Sequence, residues 1–156
     1  MILLVEDNAD DVFLTLHAFQ VTHIRNEIVV ASDGVEALEL LLPEDGREPL
    51  RPAIVLLDIN MPRLGGMEVL SVLRADSRTQ SLPVIVLTSS QEDEDVAESY
   101  HLGANSYVRK PVSSEEFLHV AQLLGVYWLD VNRQADQNAA EHGGRPVARW
   151  SDAGNV

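Results

Sequence analysis

The 156-residue chain contains no cysteine, which excludes disulfides and cysteine metal sites and fits a reducing compartment. Positive charge is also scarce: eleven lysines and arginines stand against twenty-five aspartates and glutamates, a formal charge of −14. Such a chain repels a phosphate backbone, so direct binding to nucleic acid is not expected. Long apolar runs are missing too. None approaches the ~20 residues of a membrane span, and no charged segment precedes the first apolar residues as a leader would require. The expectation is a soluble cytoplasmic protein that does not engage membranes. Internal repeats and low-complexity tracts are absent, and the mixed polar segment of residues 132–156 is too short for a separate helix-turn-helix module. Any output must pass through a protein partner.

What the chain does have is an alternation of short apolar runs and helical patterns. Residues 2–5 are continuously apolar, as in a strand covered on both faces. A helix is predicted over residues 10–21, with Val12, Phe13, Leu16 and Phe19 at helical spacing and acidic residues in its first turn. Residues 27–31 are short and β-branched, a second strand. Ser32-Asp33-Gly34 turns the chain into a helix with Val35, Leu38, Leu41 and Leu42 inward, which Pro43 ends before a polar loop over 44–52. The most apolar strand, 53–58, is expected at the sheet centre. A helix carrying Met67, Val69, Leu70 and Leu73 follows the turn 60–66, and Pro83 opens a fourth strand. Ser89 with Glu92, and Ser113 with Glu116, have capping-box spacing for two further helices. Leu102-Gly103 ends the first of these; the second follows a fifth strand at 105–109 and reaches as far as Leu129 or beyond. Strict β-α alternation predicts an α/β fold, a doubly wound five-stranded parallel sheet of flavodoxin-like strand order 2-1-3-4-5. The domain is read as 1–131, with 132–156 as a C-terminal tail, mobile or forming an arm.

The chemistry sits where the apolar runs stop: Glu6 and Asp7, Asp58, Thr88 and Lys110. Parallel strands gather all of these at one sheet edge, where open α/β sheets bind ligands. Three converging carboxylates oppose one another's ionisation, and a hard divalent cation with oxygen ligands relieves this. Mg²⁺ suits a site of few carboxylates, a carbonyl and waters. Asp58 is the natural nucleophile, able to form an aspartyl phosphate, with Lys110 as a point cation and Thr88 as a hydroxyl donor. The plain alternative is that the strand-end acids merely cap the helices that follow. Asn60 and Ser90 flank the site and are placed to orient or exclude attacking water. For Pro111, a helix-entry proline, general X-Pro preference favours a trans bond.

Over roughly residues 1–129 the chain resembles the receiver domain of two-component response regulators. The resemblance rests on Val5-Glu6-Asp7, Leu57-Asp58 with Met61-Pro62 and Gly66, Leu87-Thr88-Ser89, Gly103-Ala104 and Lys110-Pro111. It implies that a histidine kinase phosphorylates Asp58, and that Glu6, Asp7, Asp58 and the Asn60 backbone carbonyl surround Mg²⁺. It further implies that the Lys110-Pro111 bond is cis and that Thr88 and Tyr107 form the switch; an edge-strand packing role is the alternative for Tyr107. Such a protein catalyses its own Mg²⁺-dependent phosphorylation and dephosphorylation without being an enzyme in the ordinary sense. Gly65 stands where many receivers have Asp or Asn, an acceptable helix N-cap. A narrower resemblance, at residues 102–108, 110–112 and 126–129, is to the phytochrome-linked single-domain response regulators of bacteria. It implies a red-light-sensing kinase, a bacteriophytochrome, as upstream partner. The family pattern also suggests a homodimer, for which Tyr127, Trp128 and Leu129 are a candidate anchor; a lid on the core is their other reading. Two functions compete with the phospho-switch. One is an interaction module that keeps the fold and signals by binding alone. The other is a flavodoxin, which the short acidic first turn, without a Ser/Thr/Gly-rich phosphate cradle, argues against.

Overall fold

A computed structural model of the chain describes residues 1–22 and 24–133. The expectation for the segment beyond 131 therefore falls, from residue 134 onward, outside the described residues. Five strands, β1 (Ile2–Val5), β2 (Ile28–Ala31), β3 (Ile54–Leu57), β4 (Val84–Thr88) and β5 (Ser106–Arg109), form one parallel sheet in the order β2-β1-β3-β4-β5. Helices α1 (Ala9–Val21), α2 (Gly34–Leu41), α3 (Gly66–Ala75), α4 (Asp93–His101) and α5 (Ser114–Gly125) connect and follow them. This is the predicted doubly wound topology.

Side chains alternate across each strand and so divide the core in two. Leu3, Val5, Val55, Leu57 and Val84 face α2 and α3 together with Ala37, Leu41, Val69, Leu70 and Leu73. On the other face Ile2, Leu4, Ile54, Leu56, Ile85 and Leu87 meet Ala18 and Phe19 of α1 and Phe117, Ala121 and Leu124 of α5. The register aligns Val5 with Leu57 and Leu57 with Val86. Residues just beyond those positions consequently share one edge, and the candidate site lies there.

Close packing fixes that edge. A Cβ on Gly66 would lie 2.2 Å from the Asp58 carbonyl oxygen, so α3 can start against the end of β3 only because this residue lacks a side chain. At the far end of α4, Gly103 has φ +95° and closes the helix in a left-handed turn. The half-buried Arg74 guanidinium spans this corner: Nε donates to the Gly103 carbonyl (2.9 Å), Nη1 to the Thr79 carbonyl (3.3 Å) and Nη2 to Asn105 Oδ1 (3.0 Å). Asn105 Oδ1 also accepts from Val84 N at 2.9 Å. One cation thus joins the end of α3, the end of α4 and the start of β5.

Several expectations are corrected. Phe13 does not face the core; it is 71% exposed and stacks on His17 at 6.2 Å between ring centroids. Thr15, its hydroxyl satisfied by the Asp11 carbonyl at 2.8 Å, is buried with Ala18 and Phe19 on the inner stripe. Ser89 and Glu92 form no capping box: α4 starts at Asp93, with Glu92 at the N-cap position and no side-chain cap bond. The Lys110-Pro111 peptide is trans, with no cis bond among the described residues; the general preference of X-Pro bonds prevails over the family expectation. Ser113 does cap α5, accepting from Glu116 N at 3.2 Å. Gly65 stands at the N-cap of α3, where its N–H donates to Glu68 Oε2 at 2.7 Å. Beyond Gly125 the chain winds into a π-helical turn, Val126–Val131.

Candidate functional site

Glu6 follows the last residue of β1 and is nearly fully buried. Its Oε1 accepts from Asn8 N at 3.0 Å, and its Oε2 accepts from Lys110 Nζ. Asn8 is also the N-cap of α1, its Oδ1 taking the N–H groups of Asp10 (2.9 Å) and Asp11 (3.1 Å). The turn between strand and helix is therefore held from both sides, and Asp7 is left exposed at the rim. Asp58 follows the last residue of β3 with its side chain 8% exposed. One oxygen, Oδ1, accepts from Asn60 N at 3.3 Å, and Oδ2 faces Lys110 Nζ at 3.4 Å.

One carboxylate oxygen from each of Glu6, Asp7 and Asp58 lies within 4.8 Å of the others. All-oxygen donors of high negative charge, two of them buried, fit a hard divalent cation. Charge on Glu6 is poorly tolerated at this depth. Burial pushes the Glu6 carboxyl above its ordinary value of 4.5, against the pull of Lys110 and the Asn8 N–H, and the nearby Asp58 charge adds to the rise. Burial alone would lower the Lys110 ammonium, but hydrogen bonds and charge from Glu6, Asp11 and Asp58 hold it above the ordinary lysine range. Lys110 is therefore a buried cation at neutral pH.

Thr88 ends β4 fully buried, and its Oγ1 accepts from Ser90 N at 3.4 Å. The Ser90 carbonyl accepts from the Tyr107 hydroxyl at 3.3 Å, and the Ser90 hydroxyl donates to Asp95 Oδ2 on α4. Tyr107 N in turn donates to the Tyr100 hydroxyl at 3.2 Å. Thr88, Ser90, Tyr107 and α4 are thus one connected chain of polar contacts. Tyr107 is half-buried, and burial raises its phenol above 10.0. Of the expected residues, Glu6, Asp7, Asp58 and Lys110 come together directly, with Thr88 one strand away. Tyr127, Trp128 and Leu129 lie in the π-helical turn, remote in sequence from the site: Trp128 and Leu129 pack on the α1/α5 core, whereas Tyr127 is exposed and meets Trp128 edge-to-face at 5.0 Å.

One participant went unrecognised in the sequence. Asp11, the third residue of α1, accepts from Lys110 Nζ at 2.9 Å, closer than Asp58. Helical side chains lean toward the N-terminus, which aims Asp11 back at the strand ends. Its position in the first turn had an adequate explanation in the helix dipole alone, so the second role was hidden.

A parallel α/β sheet whose strand ends gather an acidic trio, a buried lysine and a buried hydroxyl defines a class of phosphoryl-accepting switch domains. Residues 2–122 match the response regulator receiver domain, and the chain belongs to that family. The probable methanogenesis regulatory protein FilR2 of Methanothrix harundinacea is 38% identical over 85% of this chain and 86% of its own. Response regulator Rcp1 of Synechocystis sp. is 33% identical over 83% of this chain and 89% of its own. The crystal structure of its Mn²⁺-bound form superimposes with a TM-score of 0.79 over 86% of this chain and 98% of that one, at 32% identity. The bacteriophytochrome response regulator RtBRR is 39% identical over 94% of this chain and 98% of its own, with a TM-score of 0.68. Membership brings with it a histidine kinase as partner and a divalent cation as cofactor, with which the acidic trio is consistent.

Proposed function

We propose that this protein accepts a phosphoryl group from a sensor histidine kinase on Asp58, uses Mg²⁺, and signals through a change centred on Thr88 and Tyr107. The observation that carries this reading is the ammonium of Lys110, buried and 3.4 Å from Asp58 Oδ2, beside an acidic trio fit for a cation. An Asp58 oxygen attacks phosphorus as the bond to the donor imidazole nitrogen breaks; the imidazole keeps the electron pair and takes a proton from solvent. Glu6, Asp7, Asp58 and the Asn60 carbonyl would hold Mg²⁺, which would supply charge neutralisation to the transferring phosphoryl group. Lys110 engages a second oxygen, and the Thr88 hydroxyl donates to a third. Moving Thr88 disturbs the Ser90 N–H contact, and through the Ser90 carbonyl it reaches Tyr107.

Exposed apolar side chains beside the site support a protein rather than a metabolite as phosphodonor. Phe13 and Val112 are 71% and 96% exposed, each two residues from a member of the Asp11-Lys110 pair. The likeness to the bacteriophytochrome response regulator RtBRR supports a phytochrome-type kinase, acting in the cytoplasm. Exposed Leu123, Tyr127 and Val131 recur every four residues from α5 into the π-helical turn, which supports a homodimer anchored by Tyr127, with Trp128 and Leu129 behind it.

The test is incubation with Mg²⁺ and acetyl phosphate. An acid-stable, base-labile phosphoryl adduct is expected on the wild type and lost completely in Asp58→Asn. Labelling of both proteins, or of neither with acetyl phosphate and with a cognate kinase, would sink the assignment.

A further inference from the structure

We propose that Asp11 is a positioning residue for Lys110, the anion that keeps this ammonium aimed at the phosphoacceptor once the cation is bound. The proposal rests on the phosphotransfer reading above. Lys110 Nζ has three N–H donors and meets three carboxylates on three separate elements: Glu6 after β1, Asp11 on α1 at 2.9 Å, and Asp58 after β3 at 3.4 Å. Two of those three, Glu6 and Asp58, also belong to the trio suited to a divalent cation; Asp11 does not. A cation drawing on Glu6 and Asp58 weakens their hold on Lys110 by charge repulsion and by competition for the same oxygens. Asp11 is then the carboxylate left to Lys110 alone. Its backbone is fixed by the N–H bond to Asn8 Oδ1 at 3.1 Å and by the Thr15 hydroxyl on its carbonyl at 2.8 Å. A rigid first turn thus presents the carboxylate, and one N–H directed at Asp11 orients the others toward Asp58 and the phosphoryl oxygens.

Asp10 provides the matched control. It shares the first turn and the Asn8 cap, carries the same charge and is exposed. The experiment compares wild type, Asp11→Asn, Asp10→Asn, Lys110→Met and Asp11→Asn/Lys110→Met for initial phosphorylation by acetyl phosphate at saturating Mg²⁺, below the unfolding range of all five. Calorimetry measures Mg²⁺ affinity alongside. Asp11→Asn is expected to slow phosphorylation about tenfold, the scale of one charge-assisted hydrogen bond, with Mg²⁺ affinity within about twofold of wild type. Asp10→Asn should match wild type, and on the Lys110→Met background Asp11→Asn should add nothing, because its effect runs through Lys110. Equal rates for Asp11→Asn and Asp10→Asn, or an undiminished Asp11 effect without Lys110, would overturn the proposal while leaving phosphotransfer standing. A wild type that is labelled neither by acetyl phosphate nor by a kinase removes the phosphotransfer reading, and this proposal with it.

Discussion

Helices α1 and α4 both begin at the site edge of the sheet, and they are held there in opposite ways. In α1, Asn8 caps two N–H groups, Thr15, Ala18 and Phe19 are buried, and Asp11 is tied to Lys110. In α4, no side chain caps the first turn, three of its first residues are acidic, and only Ser99 is buried. Its attachments are polar and few: Asp95 to the Ser90 hydroxyl, the Ser99 hydroxyl to Met67 Sδ at 3.6 Å, and the Tyr100 hydroxyl to Tyr107 N. Apolar burial holds a helix against thermal opening, whereas a few surface-facing hydrogen bonds leave it near the low-stability end of the molecule. The difference assigns roles within one site. The α1 side is firmly held beside the acidic trio, and the α4 side is the less firmly held surface.

Removing what anchors α1 gives the largest expected effect. Phe19→Ala should cost about 3–5 kcal/mol in chemical denaturation, the usual loss for a buried aromatic, whereas Tyr100→Ala on α4 should cost about 0.5 kcal/mol or less. Comparable losses would erase the distinction. Next comes Lys110→Met, which leaves Glu6 and Asp58 buried without their cation. Without divalent cation it should destabilise by about 3 kcal/mol, and added Mg²⁺ should recover part of that, as read from the denaturation midpoint.

The buried Glu6 adds a pH dependence of defined sign. Glu6 has a folded value above its ordinary 4.5, so the metal-free fold binds this proton more tightly than the unfolded chain. The increment is fully present below 4.5 and is lost as pH rises through the elevated value. A cation that binds the ionised site acts in the reverse direction. Mg²⁺ should therefore raise the thermal midpoint clearly near neutral pH and hardly at all in mild acid; an equal rise at both would place the metal elsewhere. The smallest expected change is Asn8→Ala, about 1 kcal/mol for a lost N-cap, with amide exchange accelerated in the first turn of α1 and unchanged in α4.

The sequence was most readable where one physical demand dominated. Uninterrupted apolar runs permit little but doubly covered strands, and β3 and β4 were located to within one residue of their observed ends. The acids, threonine and lysine that follow those runs had to share an edge once the strands were parallel. Legibility failed where two demands competed. Phe13 has the hydrophobicity of a core residue, yet the inner stripe of α1 runs through Thr15, Ala18 and Phe19 and leaves Phe13 on the outer side. Ser89 and Glu92 have the spacing of a cap, but the Ser90 hydroxyl engages Asp95 instead and the helix starts later. Asp11 already had a purpose at a helix N-terminus, and its contact with a lysine 99 positions away is set by tertiary geometry.

The three-way grip of Arg74 has a consequence for how α4 can move. Its Nε holds the Gly103 carbonyl just after the helix, and its Nη2 holds Asn105 at the entry to β5, while the opposite end of α4 is uncapped. A rod clamped at one end and held at the other mainly through the Ser90 hydroxyl pivots more readily than it slides. With nine residues spanning roughly 13 Å, a tilt of about 10° at the Gly103 fulcrum displaces the Asp93 tip by about 2 Å. Small rearrangements of Ser90, which is bonded to that end through Asp95, and of Thr88 behind it are thereby magnified as a lever magnifies them, and the pivot itself stays in register with the sheet.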